Sequence, residues 1–97
     1  MGTVDGIAAA FIKLKVTAEK VGPGTEEYRD QAFQEIFALN NEIGRLAHQS
    51  PKTMPKMKEL QAYVNLITVG LKYDKPESVR EGLTLTAERI ELLKTEL

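Results

Sequence analysis

The stretch Ala32-Phe33-Gln34-Glu35-Ile36-Phe37-Ala38-Leu39-Asn40-Asn41-Glu42-Ile43-Gly44-Arg45-Leu46 decides the fold. Its apolar residues Ala32, Ile36, Leu39, Ile43 and Leu46 recur in alternating steps of four and three. At about 3.6 residues per turn this spacing gathers all five on one face of an α-helix. A strand would alternate every second residue instead.

Working outward, breakers bound this helix and divide the rest of the chain. On the N-terminal side stands Gly22-Pro23-Gly24-Thr25. Gly22 suits the residue after a helix end, Pro23 blocks continuation, and Thr25 suits an N-cap. On the other side stands Gln49-Ser50-Pro51-Lys52-Thr53-Met54-Pro55. Its Ser50 and Thr53 each precede a proline by one or two residues, so the next helix can start at either. A third break is Tyr73-Asp74-Lys75-Pro76-Glu77, where Asp74 and Glu77 have the spacing of a capping box.

Four helices are predicted, over about 4–21, 25–48, 54–72 and 75–97. The first carries Val4, Ile7, Phe11, Leu14, Ala18 and Val21 on its seam. The third carries Met57, Leu60, Val64, Ile67 and Leu71, and the fourth Val79, Leu83, Thr86, Ile90, Leu93 and Leu97. Short connections make consecutive helices antiparallel neighbours. The expected fold is all-α: a small antiparallel, up-down four-helix bundle forming a single domain over 1–97. The alternative is a three-helix core whose first or fourth helix docks on a second chain.

Gly44, Gly70 and Gly82 fall inside helices, each at about 1 kcal/mol relative to alanine. They are either tolerated imperfections or points of close helix approach. Gly70 has a further reading as the residue after a helix end, which would finish the third helix near Val69 rather than Lys72.

Composition excludes more chemistry than it suggests. In 97 residues, 42% are hydrophobic and 28% charged, as in a globular protein rather than a disordered one. Thirteen Lys and Arg against fourteen Asp and Glu leave a net charge of −1, which does not favour a strongly cationic nucleic-acid binder. With no cysteine there is no disulfide and no thiolate metal site or nucleophile. The single histidine, His48, lacks the Glu three residues before it that a di-metal bundle site requires, and suits a helix terminus instead. Ser50 and Ser78 read as cap or first-turn residues, and no glycine-rich phosphate loop is present. The expectation is a protein that is not an enzyme and binds no cofactor or metal. No apolar run approaches the about 20 residues of a membrane span, and the acidic Asp5 before Ile7-Ala8-Ala9-Ala10-Phe11-Ile12 is unlike a signal peptide. A cytoplasmic location is expected.

Two features point to binding. The second helix has a further stripe, Phe33, Phe37, Asn40, Gly44 and Ala47, rotated from the first. Tyr63, Leu66, Gly70 and Tyr73 form one on the third helix. Leu85 with Leu92, and Ile12 with Val16, do the same on the fourth and first. These stripes are either core or contact surfaces for another chain. Phe33, Phe37, Asn40, Gly44, Tyr63, Leu66 and Tyr73 are the candidate partner interface, with a homodimer and a protein partner expected. The leading function is therefore a helical protein–protein interaction module: an adaptor, chaperone or regulator. The second feature is an acid-free run holding Arg45, His48, Lys52, Lys56 and Lys58, a candidate anion contact. It carries the rival function, a small nucleic-acid-associated subunit, though no aromatic residue interleaves to stack on bases. A ligand cavity between helices is a third reading.

Overall fold

A computed structural model describes residues 4–21 and 26–96. Its helices are α1 (Val4–Glu19), α2 (Glu26–Gln49), α3 (Met54–Lys72) and α4 (Pro76–Glu96), with a 3₁₀ turn at Pro51–Thr53. Each helix packs on its two sequence-cyclic neighbours, α1 on α2, α2 on α3, α3 on α4 and α4 back on α1. The result is an up-down four-helix bundle measuring 42 × 21 × 17 Å. Ile7 and Leu14 of α1 and Leu93 of α4 are fully enclosed in the same core as Leu39, Ile43, Leu60 and Ile67. The alternative with a three-helix core is thereby corrected: the first and fourth helices find their apolar partners within this chain.

The predicted seams are the core. Every seam residue of α2 and α3 is buried, and of the first seam only Val4, at the start of α1, and Val21, just beyond its end, are half-exposed. In α4, Val79, Leu83, Thr86, Ile90 and Leu93 are buried, while Leu97 lies outside the described residues. Thr86 stands out among them, fully buried with its Oγ1 lacking any hydrogen-bond partner. A buried hydroxyl without a partner forfeits its hydration for nothing in return. Thr86→Val, close in shape, should raise stability by about 1 kcal/mol and the thermal midpoint by about 4–8 °C. An unchanged or lower midpoint in a calorimetric scan would show that the hydroxyl has a compensating role.

The helix ends depart from expectation. The Gly22–Thr25 turn and its proposed Thr25 cap lie outside the described residues. At the second break the chain uses both starts, first the 3₁₀ turn and then α3, but neither hydroxyl caps a helix. Thr53 Oγ1 instead donates to the Ser50 carbonyl at 2.7 Å. Prolines near each start, which need no N–H partner there, fill the role. At the third break Asp74 is not the cap of α4. It sits in the left-handed region, φ 53°, after the end of α3. The Lys75 N–H then donates to the Gly70 carbonyl at 2.8 Å, the outer bond of a Schellman motif. Asp is among the few residues with a side chain that tolerate this conformation. α3 accordingly runs to Lys72, and the reading that ends it at Val69 is corrected.

The three helical glycines divide cleanly. A Cβ on Gly82 would stand 2.6 Å from Ile67 Cγ1 and 2.9 Å from the Ile67 nitrogen. One on Gly70 would stand 2.6 Å from Val79 Cγ2 and 2.7 Å from the Val79 nitrogen. Both therefore mark close approach of α3 and α4, the most extensive helix pair. Nothing lies within 4 Å of the Cβ position at Gly44.

Candidate functional site

The second stripe of α2 is neither wholly core nor wholly surface. Ala47 is buried, Phe33 is half-buried against the core, Asn40 is half-buried, and Phe37 and Gly44 face solvent. The cause is rotation. At about 100° per residue, Ala47 lies near the core direction, whereas Phe37 is one residue and about 100° beyond Ile36. The opposite edge of α2 is occupied by α1: Thr17 Oγ1 donates to Glu35 and accepts from Gln31 Nε2. Phe37 lies about 200° around the helix from Glu35 and so on the edge away from α1. Its exposure is 69%, the highest of the large apolar side chains described as exposed.

The stripe of α3 faces elsewhere. Gly70 packs on Val79, and the Tyr63 carbonyl would lie 3.0 Å from a Cβ at Gly82, so this edge meets α4. Tyr63 is half-buried and donates its hydroxyl to Glu59 at 2.7 Å. Glu59 also accepts from Arg89 of α4. A hydrogen bond with Tyr63 and the charge of Glu59 hold the Arg89 guanidinium above its ordinary pKa. Leu66 is half-buried. Tyr73 is 59% exposed at the end of α3, with the Lys72 ammonium 5.5 Å from its ring centre. The seven candidate interface residues thus do not form one surface. Phe33, Phe37, Asn40 and Gly44 share a face of α2, while Tyr63 lies on the α3–α4 side. The physical reason is that each stripe is defined relative to its own helix, and the two helices turn them toward different neighbours.

The secondary stripe of the first helix, which the candidate interface does not include, proves to be exposed as well. Ile12 and Val16 are 61% and 51% exposed on the outer face of α1. The signal was their four-residue spacing, present in the sequence but weaker than two phenylalanines.

The basic segment is partly engaged. Arg45 reaches Glu42 at 3.3 Å, and Lys56 pairs with Glu96 near the C-terminus of α4. The hydrogen bond from Lys56 holds the Glu96 carboxyl below its ordinary pKa. His48, in the last turn of α2, and Lys52 and Lys58 are exposed. The five candidate anion contacts span α2, the 3₁₀ turn and α3.

A cleft of about 830 Å³ opens at the opposite end, floored by Ala18, Gly70, Leu71, Val79 and Leu83. Its rim alternates in sign, with Glu19, Glu26 and Asp74 against Arg29, Lys75 and Arg80, and Arg29 is bridged to Asp74 across it. That balance selects neither an anion nor a cation. Among the described residues no group of three or more His, Asp or Glu is placed to hold a metal ion, and no helix is long and apolar enough to cross a membrane.

Compared with known proteins, the chain matches no protein-family model, no curated protein and no solved structure.

Proposed function

We propose that this protein is a non-enzymatic helical interaction module, an adaptor, chaperone or regulator, that works through apolar helix faces and self-associates. The observation that carries the reading is Phe37. A phenylalanine 69% exposed at mid-helix, on a stripe with Phe33, is an apolar surface the bundle core does not use. Burying most of such a ring against another chain contributes about 1.5–3 kcal/mol. The core itself is complete without it, so Phe37 is free to serve contact rather than folding.

The reading competes with the nucleic-acid one, which is weakened by the commitment of Lys56 to Glu96 and by the spread of the basic side chains over α2, the 3₁₀ turn and α3. Sedimentation velocity from about 10 to 300 µM distinguishes the self-associating module from a monomer, since a concentration-dependent dimer shifts with mass action. The expected result is a dimer populated at about 100 µM, the concentration range of a weak interface. A monomer throughout removes self-association from the proposal. A mobility shift with random-sequence RNA or DNA that disappears at high salt would favour the rival.

A further inference from the structure

We infer that the partner seated on the Phe37 face is a second copy of this chain, bound with the two α2 helices antiparallel about a two-fold axis. This inference rests on the self-association proposed above and specifies its geometry. It is carried by the charges that flank the stripe. Glu26, Glu27 and Asp30, all exposed, occupy the first turns of α2. Arg45, exposed near its end, and exposed Lys52 just beyond carry the opposite sign, with exposed His48 between them. By helical rotation Glu27, Asp30, Arg45 and His48 all lie on the outward flank of the Phe37 stripe, away from the core.

A two-fold axis perpendicular to both helices brings the same flank of each copy face to face with the direction reversed. The acidic start of one α2 then lies along the basic end of the other, twice over by symmetry. In the register that centres the stripe, Phe37 of one copy covers Asn40 of the other, and Phe33 approaches Gly44. Gly44 suits that position, because the space where its Cβ would be is open and leaves bare backbone for a ring to rest on. Asp30 then lies beside His48, and Glu26 beside Lys52. A parallel pairing would instead set acid on acid and base on base. The antiparallel arrangement also opposes the two helix dipoles favourably.

The area sets the strength. α2 has 24 residues, hence a length of about 36 Å. A contact strip about 10–12 Å wide along it, one helix diameter, covers about 400 Å² per copy. A standard interface buries about 800 Å² per partner, so the dimer should be weak, with a Kd in the range of about 10–100 µM.

Reciprocal charge reversal tests the arrangement. One variant carries Glu26→Lys and Asp30→Lys, the other Arg45→Glu and Lys52→Glu. All four positions are solvent-exposed, and cooperative thermal melts followed by circular dichroism establish that each variant is folded. Should the lysine variant melt early, Glu26→Gln with Asp30→Asn replaces it, with about threefold weakening expected. In the antiparallel dimer each reversed variant alone weakens self-association about tenfold by sedimentation equilibrium, and the equimolar mixture returns to within about threefold of wild type. A parallel dimer gives the opposite pattern, with neither variant weakened and the mixture tighter than wild type, and overturns the inference. So does a wild-type dimer indifferent to both reversals, although self-association then stands. A wild-type chain that remains monomeric overturns both.

Discussion

Gly82→Ala should lower the stability of the bundle by about 1–3 kcal/mol, although alanine is the better helix former. Propensity alone favours the substitution by about 1 kcal/mol. Against it stands the space at the α3–α4 contact. The new methyl would lie 2.6 Å from Ile67 Cγ1, 2.9 Å from the Ile67 nitrogen and 3.0 Å from the Tyr63 carbonyl oxygen. A side-chain carbon can turn aside, but two backbone atoms cannot, so the helices must separate. Separation loosens Ile67, Val64 and Leu83, all of which are buried. Gly44→Ala, melted at a concentration where the chain is monomeric, is the matched control, because nothing of this chain lies within 4 Å there and the propensity gain of about 1 kcal/mol remains. Thermal melts should therefore move in opposite directions, by about 4–8 °C for each kcal/mol in a domain of this size. Equal upward shifts would mean that α3 and α4 yield easily, and that Gly82 is an imperfection rather than a packing requirement.

How much of this could be read from the sequence differs by element. The seams were legible because burial in a helix follows a fixed period, and Leu39, Leu60 and Ile90 fall on it without ambiguity. The fate of the glycines was not, since all three stand beside a seam residue. Gly70 and Gly82 each precede one, Leu71 and Leu83, while Gly44 follows Ile43. The spacing shows on which side of its seam each glycine lies, but not whether a neighbouring helix stands close on that side, as it does for Gly70 and Gly82 and does not for Gly44. Asp74 was misread for a related reason. The same Asp-x-x-Glu spacing serves a helix start or follows a helix end, and only the backbone angle separates them. Cross-helix pairs such as Arg29 with Asp74, 45 residues apart, leave no local signal at all. In the candidate interface, periodicity identified the stripe on α2 but not its gradient from the buried Ala47 to the exposed Phe37. That gradient depends on where α1 and α3 sit, which the spacing of one helix does not encode.

The gradient makes the two phenylalanines, one turn apart, respond differently to the same change. Phe33→Asp should destabilise the fold by about 2–3 kcal/mol, because it removes a ring packed against the core and places a carboxylate where it is half-buried. Phe37→Asp should leave the melting midpoint nearly unchanged, within about 0.5 kcal/mol, since most of that ring already faces water. Its effect falls on association. A charge at the centre of an apolar contact is desolvated without a partner, and in a two-fold dimer it enters twice. Self-association should therefore weaken by more than tenfold, giving a monomer at about 100 µM that remains helical and melts cooperatively. Calorimetry and light scattering on the two variants separate the contributions of folding and contact. If Phe37→Asp unfolds the chain, the ring belongs to the core and the α2 face is no interface. If it melts like wild type and still self-associates, the contact lies on another surface, and the exposed Ile12–Val16 pair of α1 is the next to test.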